Sequence, residues 1–200
     1  MSLNQKRYLE LIEARISNPA SLQKALKNRS RRTVAGKDGK LMLLAADHTA
    51  RGIIAAGKNP TAIADRYVLL EKLIRALAVP GVDGVMASAD ILEELAWLGA
   101  LEEKVAIGTM NRGGIIGASW ELDDRLTAYD AEHIRSAGLD GGKTLLRIDE
   151  TDPGVARTIE MVAQVTTQLA DLELVSMIEP LPYMKDAKGR AVLDPSEEKL

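Results

Sequence analysis

An amine, carboxylates and guanidinium groups stand at the ends of short apolar runs in this sequence, where they could carry out proton transfer on a carbonyl substrate. In Lys143 to Ile148 (KTLLRI), strand alternation places Lys143, Leu145, Arg147 and Asp149 on one face and Thr144, Leu146 and Ile148 on the other. The second set suits contact with covering helices, so the first points inward. An ion buried without a partner costs several kcal/mol, so a lysine and an arginine there need acids beside them. Desolvation favours the neutral form of an amine, which is the condition for Schiff-base attack on a carbonyl. The alternative is that Lys143 sits at the solvated entrance of the strand with only its stem buried.

Glu179 closes the run Leu174 to Ile178 and is followed by Pro180-Leu181-Pro182. A carboxylate fixed at a strand end is placed for proton transfer; equally, it could cap a neighbouring helix. Asp47-His48 follows Leu41 to Ala46 and offers a base, a hydroxyl-binding pair or a lysine partner. Alternatively, Asp47 or Thr49 caps a short helix, and His48 suits hydrogen bonding better than metal ligation. Asn111-Arg112-Gly113-Gly114 combines an arginine with backbone N–H groups near glycines, a nest for an anion. Glu121 to Arg125 (ELDDR) reads as a solvated loop, and Met42, Met86, Met161 and Met177 as core filling.

These groups must be held by a regular framework. The first forty residues read as two helices and a basic turn, Lys27 to Arg32, which is either a solvated helix end or an anion or subunit contact. Apolar runs then recur at 41–46, 84–87, 105–108, 143–148 and 174–178. Helical patterns separate them over 63–79, 89–101 and 127–137, and another opens at Asp152-Pro153. Strands apolar on both faces and separated by amphipathic helices predict a parallel sheet covered on both sides. Polar residues past nearly every strand end favour a (β/α)₈ TIM barrel, present here as its first five βα units, over a dinucleotide-binding sheet. No GxGxxG follows the first strand. Such a barrel takes about 250 residues, so the expectation is one incomplete domain over 1–200, a fragment or a chain completed by a partner. Residues 1–35 form its N-terminal helical extension.

With 46% hydrophobic and 28% charged residues, the chain is expected to fold as a globule. A net charge of −3 gives no reason to expect a nucleic acid partner. No run approaches the length of a membrane span, and the charged N-terminus is no signal peptide. Without cysteine there is no disulfide framework or thiolate site, and two histidines cannot build a histidine-rich zinc centre. The expected setting is the cytoplasm. The apolar helix from Tyr67 to Val79 either packs on the sheet or serves a homo-oligomer.

The segment KTLLRIDETDP, then LELVSMIEPLPY with KDAKGRAVLD, resembles class I aldolases of the tagatose-bisphosphate and DhnA-type fructose-bisphosphate group. More closely, the chain resembles an uncharacterised actinobacterial aldolase-like family linked to inositol catabolism, in which MNRGGIIGASWELDDRLTAYD has a counterpart. The resemblance implies a metal-independent lyase that needs no cofactor and uses a lysine iminium on a phosphorylated sugar or inositol-derived keto acid. It matches Asp47 to the first-strand aspartate, Lys143 to a second lysine near the iminium lysine, and Glu179 to the proton-transfer glutamate. The iminium lysine itself, on strand six, and the phosphate site would fall beyond Leu200. His48, Asn111, Arg112, Arg147 and Asp149 are the expected substrate-binding residues, with Arg112 or Arg147 drawing an anionic group. Two other readings stand beside this one: a metal-assisted lyase or isomerase using Asp47, His48 and Glu179, and a non-catalytic sugar-phosphate-binding subunit.

Overall fold

The computed structural model describes residues 3–36, 38–111 and 118–194. Helices α1 (Gln5–Ser17) and α2 (Ala20–Asn28) precede strand β1 (Leu43–Ala46), which ends in a 3-10 turn at His48–Arg51. Then follow α3 (Arg66–Leu77), β2 (Gly84–Ala87), α4 (Ala89–Trp97), β3 (Val105–Thr109), α5 (Ala131–Ser136), β4 (Gly141–Ile148), α6 (Gly154–Asp171), β5 (Val175–Lys185) and β6 (Ala191–Leu193). Capping fixes several starts: Asn4, Asp65 and Asp130 each accept a hydrogen bond from a backbone N–H in the first turn of α1, α3 and α5. No helix among the described residues is long and apolar enough to cross a membrane.

The strands lie in the order β1-β2-β3-β4-β5-β6, parallel from β1 to β5 and antiparallel between β5 and β6. This corrects the expectation of a (β/α)₈ barrel. The sheet is a curled, open half-barrel of six strands, with β1 and β6 as its two edges. The physical reason lies after β5. A parallel neighbour needs a long crossover, but here the chain reverses in a tight turn, with Gly189 at φ +74° and Gly189 N–H bonded to the Asp186 carbonyl. The returning strand is therefore antiparallel, and β6 is not a sixth parallel strand. Pro180 and Pro182 fit inside the eleven-residue β5 for a related reason. The Pro182 carbonyl accepts from Asp194 N–H, so these alternate positions turn away from β4 and remove no donor from that ladder.

The register sorts side chains into two layers. Leu44, Val85, Ala106, Gly142 and their face-mates meet the helices in the main core with Leu70, Leu92 and Leu169. The concave face carries a smaller cluster of Met86, Val105 and Ile107, with Leu43, Val175 and Met177 packed against it. Met42, expected in a core, is 58% exposed, because it precedes β1. Gly84 is required by close approach: a Cβ there would stand 2.0 Å from the Val105 carbonyl oxygen.

The basic run at the end of α2 is solvated only in part: Lys27 and Arg31 stay exposed, while Arg29 is buried. Arg29 reaches under the sheet to Asp140 (Nη2–Oδ2 2.6 Å), and Arg31 Nε takes the other oxygen at 2.9 Å. Asp140 also accepts the Ala106 N–H at 2.8 Å, so one carboxylate ties the N-terminal segment to β3 and β4. Arg32 pairs with Asp83, whose second oxygen accepts Met42 N–H at 2.7 Å and sets the start of β1.

Candidate active site on the concave face

Lys143 is wholly buried on β4, in register with Thr109 on one side and Met177 on the other. Its Nζ donates to Asp47 Oδ2 at 2.9 Å. Three strand spacings separate β1 from β4, about 14 Å in a flat sheet. The contact therefore depends on the curl, which turns the ends of β1 and β4 toward each other across the concavity. The solvated-entrance alternative for Lys143 does not hold, since none of its side chain is exposed.

Glu179 stands one strand over, paired in register with Leu145, and its Oε2 also meets Lys143 Nζ. Its side chain is 41% exposed, so this carboxylate joins the buried amine to solvent at the mouth. Among the described residues Glu179 caps no helix. Asp47 sits at the N-cap position of the 3-10 turn, yet its side chain makes no capping bond and turns to Lys143 instead. Burial alone would push the Asp47 carboxyl up; the Lys143 hydrogen bond, with the charges of Lys143, Arg51 and His48, outweighs this and holds it below the usual range. Arg51 shares Asp47 Oδ2 at 2.8 Å, and the half-exposed His48 stands 3.8 Å from Oδ1.

The other expected site residues divide. Asn111 is buried and mimics a backbone bridge, with Nδ2 donating to the Leu145 carbonyl and Oδ1 accepting its N–H, both at 2.8 Å. Arg147 is buried against Glu121 (Nη1–Oε1 2.9 Å), with Asp124 Oδ2 at 3.9 Å and the Tyr183 ring 5.4 Å from its Cζ. Its charge is met within the protein, which weakens it as an anion binder. Asp149 is buried and its Oδ1 accepts from Thr151 N–H and Oγ1, at 2.9 and 2.7 Å, bracing the turn into α6. Arg112 lies outside the described residues.

Two groups escaped the sequence reading. Arg51 follows Asp47 by four residues, a spacing that means something only once the 3-10 turn is known. Glu121 and Asp124 are buried, so ELDDR is not the solvated loop expected of it; the inward-facing Arg147 was the signal that acids were needed nearby. Beside the strand ends opens a cleft of about 700 Å³ lined by Thr49, Ser88, Thr109, Tyr129 and His133 among others. Burial pushes the Tyr129 hydroxyl up, helped by Glu93 and Asp90. Among the described residues no three His, Asp or Glu side chains gather as a metal-ligand set.

Residues 39–200 match the family model described as Cgl0159-like. The chain belongs to the Cgl0159-like family. The crystal structure of Cgl0159 from Corynebacterium glutamicum superposes with a TM-score of 0.93 at 42% identity, covering 98% of this chain and 66% of that one. This Cgl0159-like chain thus spans just under two thirds of the length of the solved protein. At 98% coverage the likeness extends to the N-terminal helices that precede the region matched by the family model. No curated protein matches the chain.

What the Cgl0159-like site can do follows from its asymmetry. Lys143 is sealed, Asp47 is sealed and kept ionised, and Glu179 is both ion-paired and wet. Such an arrangement can pass a proton between water and a buried cation beside the strand ends.

Proposed function

We propose that this chain carries the concave-face machinery of a cytoplasmic class I lyase, which makes or breaks a C–C bond through a lysine iminium. Its proposed substrate is a phosphorylated sugar or an inositol-derived keto acid. The observation that carries the reading is the buried Lys143 amine held between Asp47 and Glu179, with Glu179 still open to the mouth. The resemblance to class I aldolases adds the reaction type.

In that reaction a lysine amine adds to the substrate ketone and water leaves, giving an iminium. The β-hydroxyl then loses its proton as the C–C bond breaks, and the bonding pair flows into the iminium as an enamine. Protonation of the enamine and hydrolysis release the second product. Every stage moves a proton, and Glu179 is the group placed to move it. Lys143 has its N–H groups committed to two carboxylates, a poor setting for a nucleophile. Its role is to orient Glu179, the member of the group that faces the mouth. By the resemblance to class I aldolases, the attacking amine is then a different lysine. Asp47 holds the Lys143 amine, and Arg51 keeps Asp47 in place.

The test is retro-aldol turnover of ketose phosphates and hydroxy-keto acids by the whole protein, with Glu179→Gln alongside. The variant is expected to lose about 10²–10⁴-fold in kcat while still binding substrate. No turnover of any such substrate, or a variant as fast as its parent, contradicts the reading.

A further inference from the structure

Helix α1 turns two faces in opposite directions. Leu11 is fully buried, and Tyr8 packs into the core against Tyr67, their ring centroids 5.3 Å apart. The opposite face carries Leu9 at 60% exposure and Ile16 at 74%, one heptad apart, with Ile12 beside them. A shallow groove runs along this face, floored in part by Trp97. Isolated apolar residues on a surface need no explanation; a stripe at helical spacing beside a groove does.

The charges along the stripe indicate what covers it. Arg7 is engaged by Glu10 and lies over the Trp97 ring, and Arg15 is held by Glu94. Lys6 and Glu13 make no ion pair among the described residues. They too are one heptad apart, so they lie on the same flank of the Leu9–Ile16 stripe. When two helices pack antiparallel about a two-fold axis, equivalent flanks face each other and the sequence runs reversed. Lys6 then meets Glu13 of a second copy, Glu13 meets Lys6, and Leu9 stands against Leu9 near the axis. Parallel packing brings no such pairing.

We propose that the outer face of α1 is a homodimer surface, formed by antiparallel two-fold packing against α1 of a second copy. The occupant is chosen by self-complementary charge around Leu9, with Ile16 at the outer end of the seam. A standard interface buries about 1,600 Å², more than one short helix supplies, so the groove floor takes part and the dimer is weak, in the micromolar range.

Sedimentation velocity across the micromolar range tests this, with circular dichroism confirming that each variant keeps its helices. The parent is expected to move from monomer to dimer with concentration, and Leu9→Glu to remain monomeric. Lys6→Glu alone and Glu13→Lys alone each set like charges opposite one another and weaken the dimer at least about tenfold. The double variant K6E/E13K restores both pairs with reversed sign and dimerises within about threefold of the parent. A monomer at every concentration, a dimer indifferent to Leu9→Glu, or a double variant as weak as the singles overturns the proposal. So does a face that becomes covered only when a different protein is added.

Discussion

Two buried ion clusters lie at opposite ends of the same sheet. Beneath the strands, Arg29 and Asp140 are almost wholly buried, and Asp140 also takes Arg31 and the Ala106 N–H, while Arg29 also donates to the carbonyls of Leu26 and Gly138. Above the strands, Lys143 and Asp47 are as deeply buried, yet the third member, Glu179, is 41% exposed. The lower cluster fastens one segment to two strands, and its exposed member is a guanidinium, Arg31, rather than a carboxylate. The upper one spends buried charge on a group that faces solvent. Burial of charge does not by itself mark function, nor does one exposed member; an exposed carboxylate beside a buried amine can move a proton, where the exposed guanidinium of Arg31 is a poor proton relay.

Variants that separate the two ends sharpen this contrast. The largest effect is expected from Lys143→Met, which under the proposed reaction loses about 10²–10⁴-fold in turnover. Its stability should fall less than that of Asp140→Ala, because Asp47 keeps Arg51 and Glu179 can turn to water. Asp140→Ala is expected to do the reverse. It strands the Arg29 guanidinium and should cost about 3–5 kcal/mol in urea unfolding, with kcat per folded molecule unchanged. Equal losses of activity in both variants would erase the distinction.

A smaller effect concerns acid. Asp47 is held below the roughly 3.9 of an unperturbed aspartate, so between its folded and unfolded values the unfolded chain binds more protons. Its contribution to stability is present above the unfolded value and is lost as pH falls through the folded one. Urea midpoints across the acid range should therefore drop less steeply for Asp47→Asn than for the parent. The smallest effect is expected at the exposed helical pair Arg75–Glu71 on α3, where Glu71→Gln should shift stability by about 0.5 kcal/mol or less.

Much of the upper cluster was legible because strands have a period of two. KTLLRI alternates, so Lys143 and Arg147 had to share a face, and apolar runs ended at Asp47 and Glu179. Which acid serves which base was not legible. Asp47 and Lys143 are 96 residues apart and meet only through the curl of the sheet. The charged neighbours of Glu121 predict a solvated loop; its partner lies 26 residues on, and only the fold joins them. The closed barrel failed for a local reason. Extending the βα rhythm past Glu179 ignored the turn at Asp186 to Gly189, which reverses the chain into β6. In the same way, the basic run after α2 gave no sign of Asp140, over a hundred residues away, that absorbs it.

The most direct test of carbonyl chemistry at Lys143, Asp47 and Glu179 is reductive trapping. The whole protein is mixed with dihydroxyacetone phosphate and borohydride, and peptide mass spectrometry then locates any lysine adduct. The account predicts a substrate-sized increment on one lysine other than Lys143, formed far more slowly in Lys143→Met and Glu179→Gln. No lysine gaining mass across the ketose substrates, or variants trapped as fast as the parent, would contradict it.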